Sequence, residues 1–180
     1  MPLIAKTYAL NFLLNYVQDR YEKQNEEDYN EVVRLCCIVK PLISWHAENT
    51  ATTCRERCGG QGFLAANRFG EAIAGSHAGI TAEGDNSVIL QKVAKECLSE
   101  VNRNDLVLFL SQRKISKSII FKYYSNLEDY KSFLKLFEIR NKILLYDLAY
   151  DMFQSKNDIF DIWMYEKSDT IQDLATSYGE

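Results

Sequence analysis

The stretch "VVRLCCIVKPLISWHAENTATTCRERCGGQGF", Val32 to Phe63, decides the fold of this 180-residue chain. Val32, Leu35, Cys36, Val39, Ile43 and Ala47 recur at three- and four-residue steps. That period lines apolar groups along one face of an α-helix. The run is far longer than a strand and holds no hairpin turn signal. One helix is therefore expected from about Asp28 to Cys58. Pro41 falls inside it. Its ring crowds the preceding turn and it has no N–H to give, so a bend is expected there. Gly59 then offers a residue free to turn left-handed and close the helix.

Working outward, helix breakers are scarce. Only Pro2 and Pro41 occur, and seven of the eight glycines lie between Gly59 and Gly84. Such a chain reads as long helices around one special loop region. Upstream, Leu3, Tyr8, Phe12, Leu13, Tyr16 and Val17 form a helical stripe over about residues 3–22, followed by the polar connector "EKQNEEDYN". Downstream, a shorter, looser segment runs from Leu64 to Ala74. A further helix starts near Asp85–Asn86, where Asp85, Asn86 or Ser87 can accept first-turn N–H bonds. Its apolar residues are Val88, Ile89, Val93, Cys97 and Val101. From about Asn104 the chain is rich in Phe, Tyr, Leu and Ile with Lys and Glu between, and reads as two or three helices of a second bundle. Tyr123, Tyr124, Phe133, Phe137, Tyr146, Tyr150 and Phe153 could make a stripe for a partner; internal packing is the commoner fate of such aromatics.

Composition excludes several classes. The net charge is -4, from 21 basic and 25 acidic residues. A nucleic-acid binder would need a basic face instead. No segment reaches the roughly 20 apolar residues of a membrane span. The first residues do not read as a secretory leader, and the last three are not a Ser-Lys-Leu peroxisomal address. Five cysteines, an odd count, argue against a disulfide framework and for a reducing compartment. Cys54 and Cys58 share a helix face, but neither a second pair nor His46 and His77 complete a zinc set. No metal is expected.

Two motifs carry chemistry. In Cys54–Phe63, "CRERCGGQGF", adjacent glycines after a helix let bare backbone approach a ligand. They also serve as a plain helix cap beside an Arg-rich last turn. The pattern is no dinucleotide fingerprint, since the helix precedes the glycines. In His77–Ser87, "HAGITAEGDNS", the acid Glu83 sits in a turn directly before an apolar helix. An acid there suits the helix dipole. In an apolar cleft, desolvation would also make it a stronger base.

Taken together and in order, the motifs resemble the C-terminal half of a flavin-dependent acyl-CoA oxidase, within the acyl-CoA dehydrogenase superfamily. The matching stretches are "KPLISWH" at Lys40–His46, "CRERCGGQGF" at Cys54–Phe63 and "TAEGDNSVILQKVAKE" at Thr81–Glu96. The likeness covers about residues 1–101. It implies an all-α fold: a helical bundle of the acyl-CoA dehydrogenase C-terminal type over residues 1–103, then part of a second helical domain over 104–180. The second region is what sets oxidases apart from dehydrogenases. A dehydrogenase fragment and a catalytically silent helical interaction module are the alternatives.

The resemblance further implies roles. Glu83 would be the base that removes the α-proton of a fatty acyl-CoA while the β-hydride passes to FAD. Reoxidation by O2 would leave trans-2-enoyl-CoA and hydrogen peroxide, a step of fatty acid β-oxidation. Gly84 would lie against the acyl thioester. Asp85 and Asn86 would face the cofactor. Gly59 and Gly60, with Arg55 and Glu56 at the same helix end, would approach the FAD of a neighbouring subunit, so a homodimer is implied. Ala82 stands where the family commonly has an aromatic, which leaves the shape of the acyl slot open. The family's N-terminal helical and middle β domains have no counterpart here. The chain is therefore expected to be a fragment, unable alone to bind FAD tightly or turn over. The implied compartment is the peroxisome.

Overall fold

A computed structural model describes residues 2–102, 104–108, 129–154 and 161–177, apart from the side chains of 164 and 165. The described residues are helices and turns with no strand among them. They form two compact units, Met1–Leu90 and Gln91–Tyr178.

In the first unit, α1 is Pro2–Lys23. Its inward face is Leu10 and Val17, with Leu3, Leu13 and Leu14 half-buried. The aromatic half of the expected stripe is on the outside: Tyr8, Phe12 and Tyr16 are exposed. Two apolar sets lie on this helix, and only the aliphatic one packs. α2 is Tyr29–Arg57 and continues unbroken through Pro41, which is itself buried. Val32, Ile38 and Val39 are buried as well, while Cys36 and Ala47 stand exposed, against expectation. The helix closes as the sequence predicts. The Cys58 N–H donates to Cys54 O at 3.1 Å, and Gly59 follows at φ +58°.

Two 3-10 turns, Gly59–Phe63 and Ala65–Asn67, lead into α3, Phe69–Thr81. The expected loose segment, Leu64–Ala74, thus becomes regular helix from Phe69 on, and His77–Thr81 belong to that helix and not to the turn. Gly70, Gly75 and Gly79 hide the helix from a reading based on propensity. Packing decides instead, because small residues let α3 lie close on α2: a Cβ at Gly79 would sit 3.7 Å from that of Ser44. α3 runs back along α2, its start near Cys54 and its end near Lys40.

α4, Asn86–Ser99, begins as expected and crosses from one unit into the next. Its buried apolar residues are Leu90, Val93, Ala94 and Cys97; Val88 is exposed, not inward. The second unit continues with helical residues 104–108, α5 at Tyr130–Gln154, a π-helical turn at Ile162–Glu166 and α6 at Ser168–Ser177. Its core is Ala94, Leu148, Ile171 and Leu174, with Leu144, Met152 and Trp163 packed around them. Asp129 starts α5: its Oδ2 accepts from the Ser132 hydroxyl at 2.9 Å and the Ser132 N–H at 3.1 Å. Those bonds hold its carboxyl below the usual range. Of the aromatic set, Phe133 and Phe137 meet edge-to-face at 4.9 Å, and Phe153 is exposed. Tyr123 and Tyr124 lie outside the described residues.

Candidate active site

The turn between α3 and α4 is unusual in its backbone. Ala82 is extended, Glu83 is left-handed at φ +61°, and Gly84 follows at φ +104°. A left-handed glutamate is uncommon and persists only where surrounding contacts hold it. Here the contacts come from Lys40 on α2. Its ammonium donates to Gly84 O at 2.7 Å, Asn86 Oδ1 at 2.7 Å and Ile80 O at 3.1 Å. All three of its hydrogens are thus used on one turn. Asn86 is fully buried, and its Nδ2 donates to Ser44 Oγ at 2.9 Å. The Ser44 hydroxyl in turn donates to Lys40 O at 2.9 Å. Asp85 caps α4: its Oδ1 accepts from the N–H groups of Ser87 at 2.9 Å and Val88 at 3.3 Å.

Glu83 stands at the edge of a groove of about 700 Å³ lined by Leu14, Val17, Val39 and Ile43, with Lys40 and Ser44 beside it. The groove wall is mostly apolar. The Glu83 side chain itself is exposed. The described residues of this chain thus leave Glu83 open to solvent at the rim of an apolar groove.

The expected site residues fall into two groups. Glu83, Gly84, Asp85 and Asn86 share the α3–α4 turn. Arg55, Glu56, Gly59 and Gly60 share the C-terminal end of α2. About 28 Å of helix separates Lys40 from Gly59 at the usual rise, so one chain does not bring the groups together. Within the first group, Asn86 is turned inward to Lys40 and Ser44 rather than outward to the groove. Gly59 and Gly60 are exposed, and a Cβ on either would meet nothing within 4 Å. Gly62 is different: a Cβ there would lie 2.2 Å from Arg55 O, so the position is small for packing. Sequence reading overlooked Lys40 and Ser44. The available signal was a lysine and a serine four apart within an otherwise apolar helix face.

The model of the acyl-CoA oxidase C-alpha1 domain family matches residues 1–98. The chain belongs to this family. Among relatives of this acyl-CoA oxidase segment is the peroxisomal acyl-coenzyme A oxidase 3 of Arabidopsis thaliana, 35% identical over 100 residues. That match covers 56% of this chain and 15% of the relative. The Arabidopsis acyl-coenzyme A oxidase 2, also peroxisomal, is 35% identical over 102 residues, covering 54% and 15%. The human peroxisomal acyl-coenzyme A oxidase 3 is 34% identical over 111 residues, covering 54% and 16%. The chain thus spans about 15% of the length of the curated relatives it matches. No solved structure matches it. The matched residues include both quoted motifs, and the peroxisome inferred from the resemblance agrees with the relatives' names.

Proposed function

We propose that this chain provides the catalytic base of a flavin-dependent acyl-CoA oxidase, acting on fatty acyl-CoA in β-oxidation. Glu83 is the base and removes the α-proton of the thioester. Gly84, with no side chain, leaves room for the substrate against the main chain. Arg55, Glu56, Gly59, Gly60 and Asp85 are the residues that would hold FAD. Asn86 acts from within by fastening the turn. The fit of the cofactor rests on the open backbone at Gly59 and Gly60, where an added Cβ would meet nothing within 4 Å. Bound flavin supplies the hydride acceptor and, on reoxidation by O2, yields peroxide.

The observation that carries this reading is Glu83's left-handed backbone, pinned by Lys40 at the lip of an apolar groove. A carboxylate held in strain at a groove is poised for a reacting group rather than for its own helix. The desolvation such a base needs is to come from bound substrate and from segments of the longer relatives that this chain does not span. A homodimer follows from the same reading, because the two residue groups stand far apart in one chain.

The test uses a chimera in which residues 1–98 replace the matching segment of the human relative. With an acyl-CoA substrate, Glu83→Gln should lower peroxide formation about a thousandfold, the span of a lost general base. Peroxide formation that survives the change would remove Glu83 from the mechanism.

A further inference from the structure

A second groove, of about 520 Å³, shares Leu14 and Ile43 with the first and runs along the C-terminal half of α2. Leu10 and Phe69 complete its apolar wall. His46 and Thr50, one helical turn apart, also line it. His46 is 7% exposed, and its Nε2 lies 2.8 Å from Thr7 Oγ1. The Thr7 hydroxyl has one hydrogen, which it donates to Leu3 O at 2.9 Å. Thr7 must therefore accept from His46, and Nε2 carries the ring proton. Nδ1 is left as a buried lone pair with no partner. Burial, and then the nearby charge of Lys6, hold His46 below the usual histidine range, so the ring stays neutral. The Thr50 hydroxyl is also buried and without a partner.

We propose that this groove binds an apolar molecule bearing one hydroxyl, which donates to His46 Nδ1 and accepts from Thr50 Oγ1. The chemistry selects the head group. A carboxylate has no hydrogen for Nδ1. An ammonium has no lone pair for Thr50. A hydroxyl has both. Side chains four apart on a helix stand about 5–6 Å apart at Cβ. The two groups are therefore neighbours on one helix face, and a hydroxyl oxygen placed about 2.8 Å from each would bond to both. The apolar wall takes the carbon body. Nothing in this inference depends on Glu83 or on a flavin.

The test is NMR of the 180-residue chain with its histidine ring nitrogens labelled. n-Hexanol, hexanoate and hexylammonium are titrated in turn, with the exposed His77 as internal control. n-Hexanol should shift the His46 Nδ1 resonance saturably, and the two charged molecules should not. Thr50→Val should weaken n-hexanol binding about tenfold or more, one hydrogen bond's worth, whereas Thr50→Ser keeps it. An Nδ1 resonance indifferent to n-hexanol would overturn the proposal and leave water alone as the occupant. Equal binding of all three molecules, unchanged by Thr50→Val, would overturn it too and leave only an apolar groove.

Discussion

Lys40 donates every ammonium hydrogen to the turn that holds Glu83 in a left-handed backbone. Replacing it with methionine keeps most of the stem and deletes all three bonds. Lys40→Met should speed hydrogen exchange at Ala82–Asn86 and lower chain stability in urea by about 1–3 kcal/mol, the scale of lost charged hydrogen bonds. Unchanged exchange in those amides would show that the turn holds itself. Arginine should not rescue the loss, since its planar fork does not converge on three acceptors as an ammonium does. The glycines separate structure from function at the same scale. Gly62→Ala drives a Cβ to 2.2 Å from Arg55 O, so the backbone must move, at a cost of about 2 kcal/mol or more. Gly60→Ala meets nothing, and thermal unfolding should stay within about 0.5 kcal/mol of the parent. His46 gives a pH dependence with a definite sign. Its folded pKa lies below the free-imidazole value of about 6.5, so the unfolded chain binds the proton more readily. Its contribution to stability is present above that value and is lost as pH falls below it. Denaturation at about pH 7.5 and about pH 5.5 should show this loss in the parent, and a smaller one in His46→Gln. The residues to which the resemblance assigns ligand contacts stand out in the sequence as motifs. Lys40 and Ser44 were not, because their roles exist only once α3 folds back and brings Gly84 and Asn86 within reach.

At the scale of elements, the legible helices were those whose burial agrees with their sequence period. α1, α2 and the start of α4 fall within a residue or two of their expected limits. α3 was missed because glycine and alanine carry a weak local signal, and its helicity comes from close packing on α2. Which face of a helix packs was also partly illegible. Tyr8, Phe12 and Tyr16 share the helical period with Leu10 and Val17 on α1, and periodicity alone does not say which set goes inside. The cap of α4 is a test of the element itself. Asp85 accepts two first-turn N–H bonds, so Asp85→Ala should cost about 1 kcal/mol. Asp85→Asn should recover most of it. If alanine were neutral, the start of α4 would be held by Asn86 burial alone.

At the scale of the whole molecule, the two candidate groups sit at opposite ends of the α2 segment between Lys40 and Gly59, about 28 Å apart. The proposed base at one end and the proposed cofactor-facing backbone at the other do not make one site within one chain. They do make two sites if two copies pair so that each lends its glycine turn to the other's Glu83. A symmetric dimer of that kind has a consequence that no single-chain site shares. In the chimera with the human relative, Glu83→Gln should be inactive for want of a base. Gly60→Phe should be inactive for want of open backbone; a Cβ there meets nothing within 4 Å, and circular dichroism should show the helices intact. Mixing the two inactive proteins and letting subunits exchange places both defects on one site of each heterodimer and leaves the other site whole. Half of the dimers are then heterodimers with one intact site, so peroxide formation should return to about a quarter of the parent rate. A single-chain site gives no return at any mixing ratio, since every chain in the mixture carries its own defect. The recovered fraction thus separates a shared site from a self-contained one without a structure of the assembled enzyme.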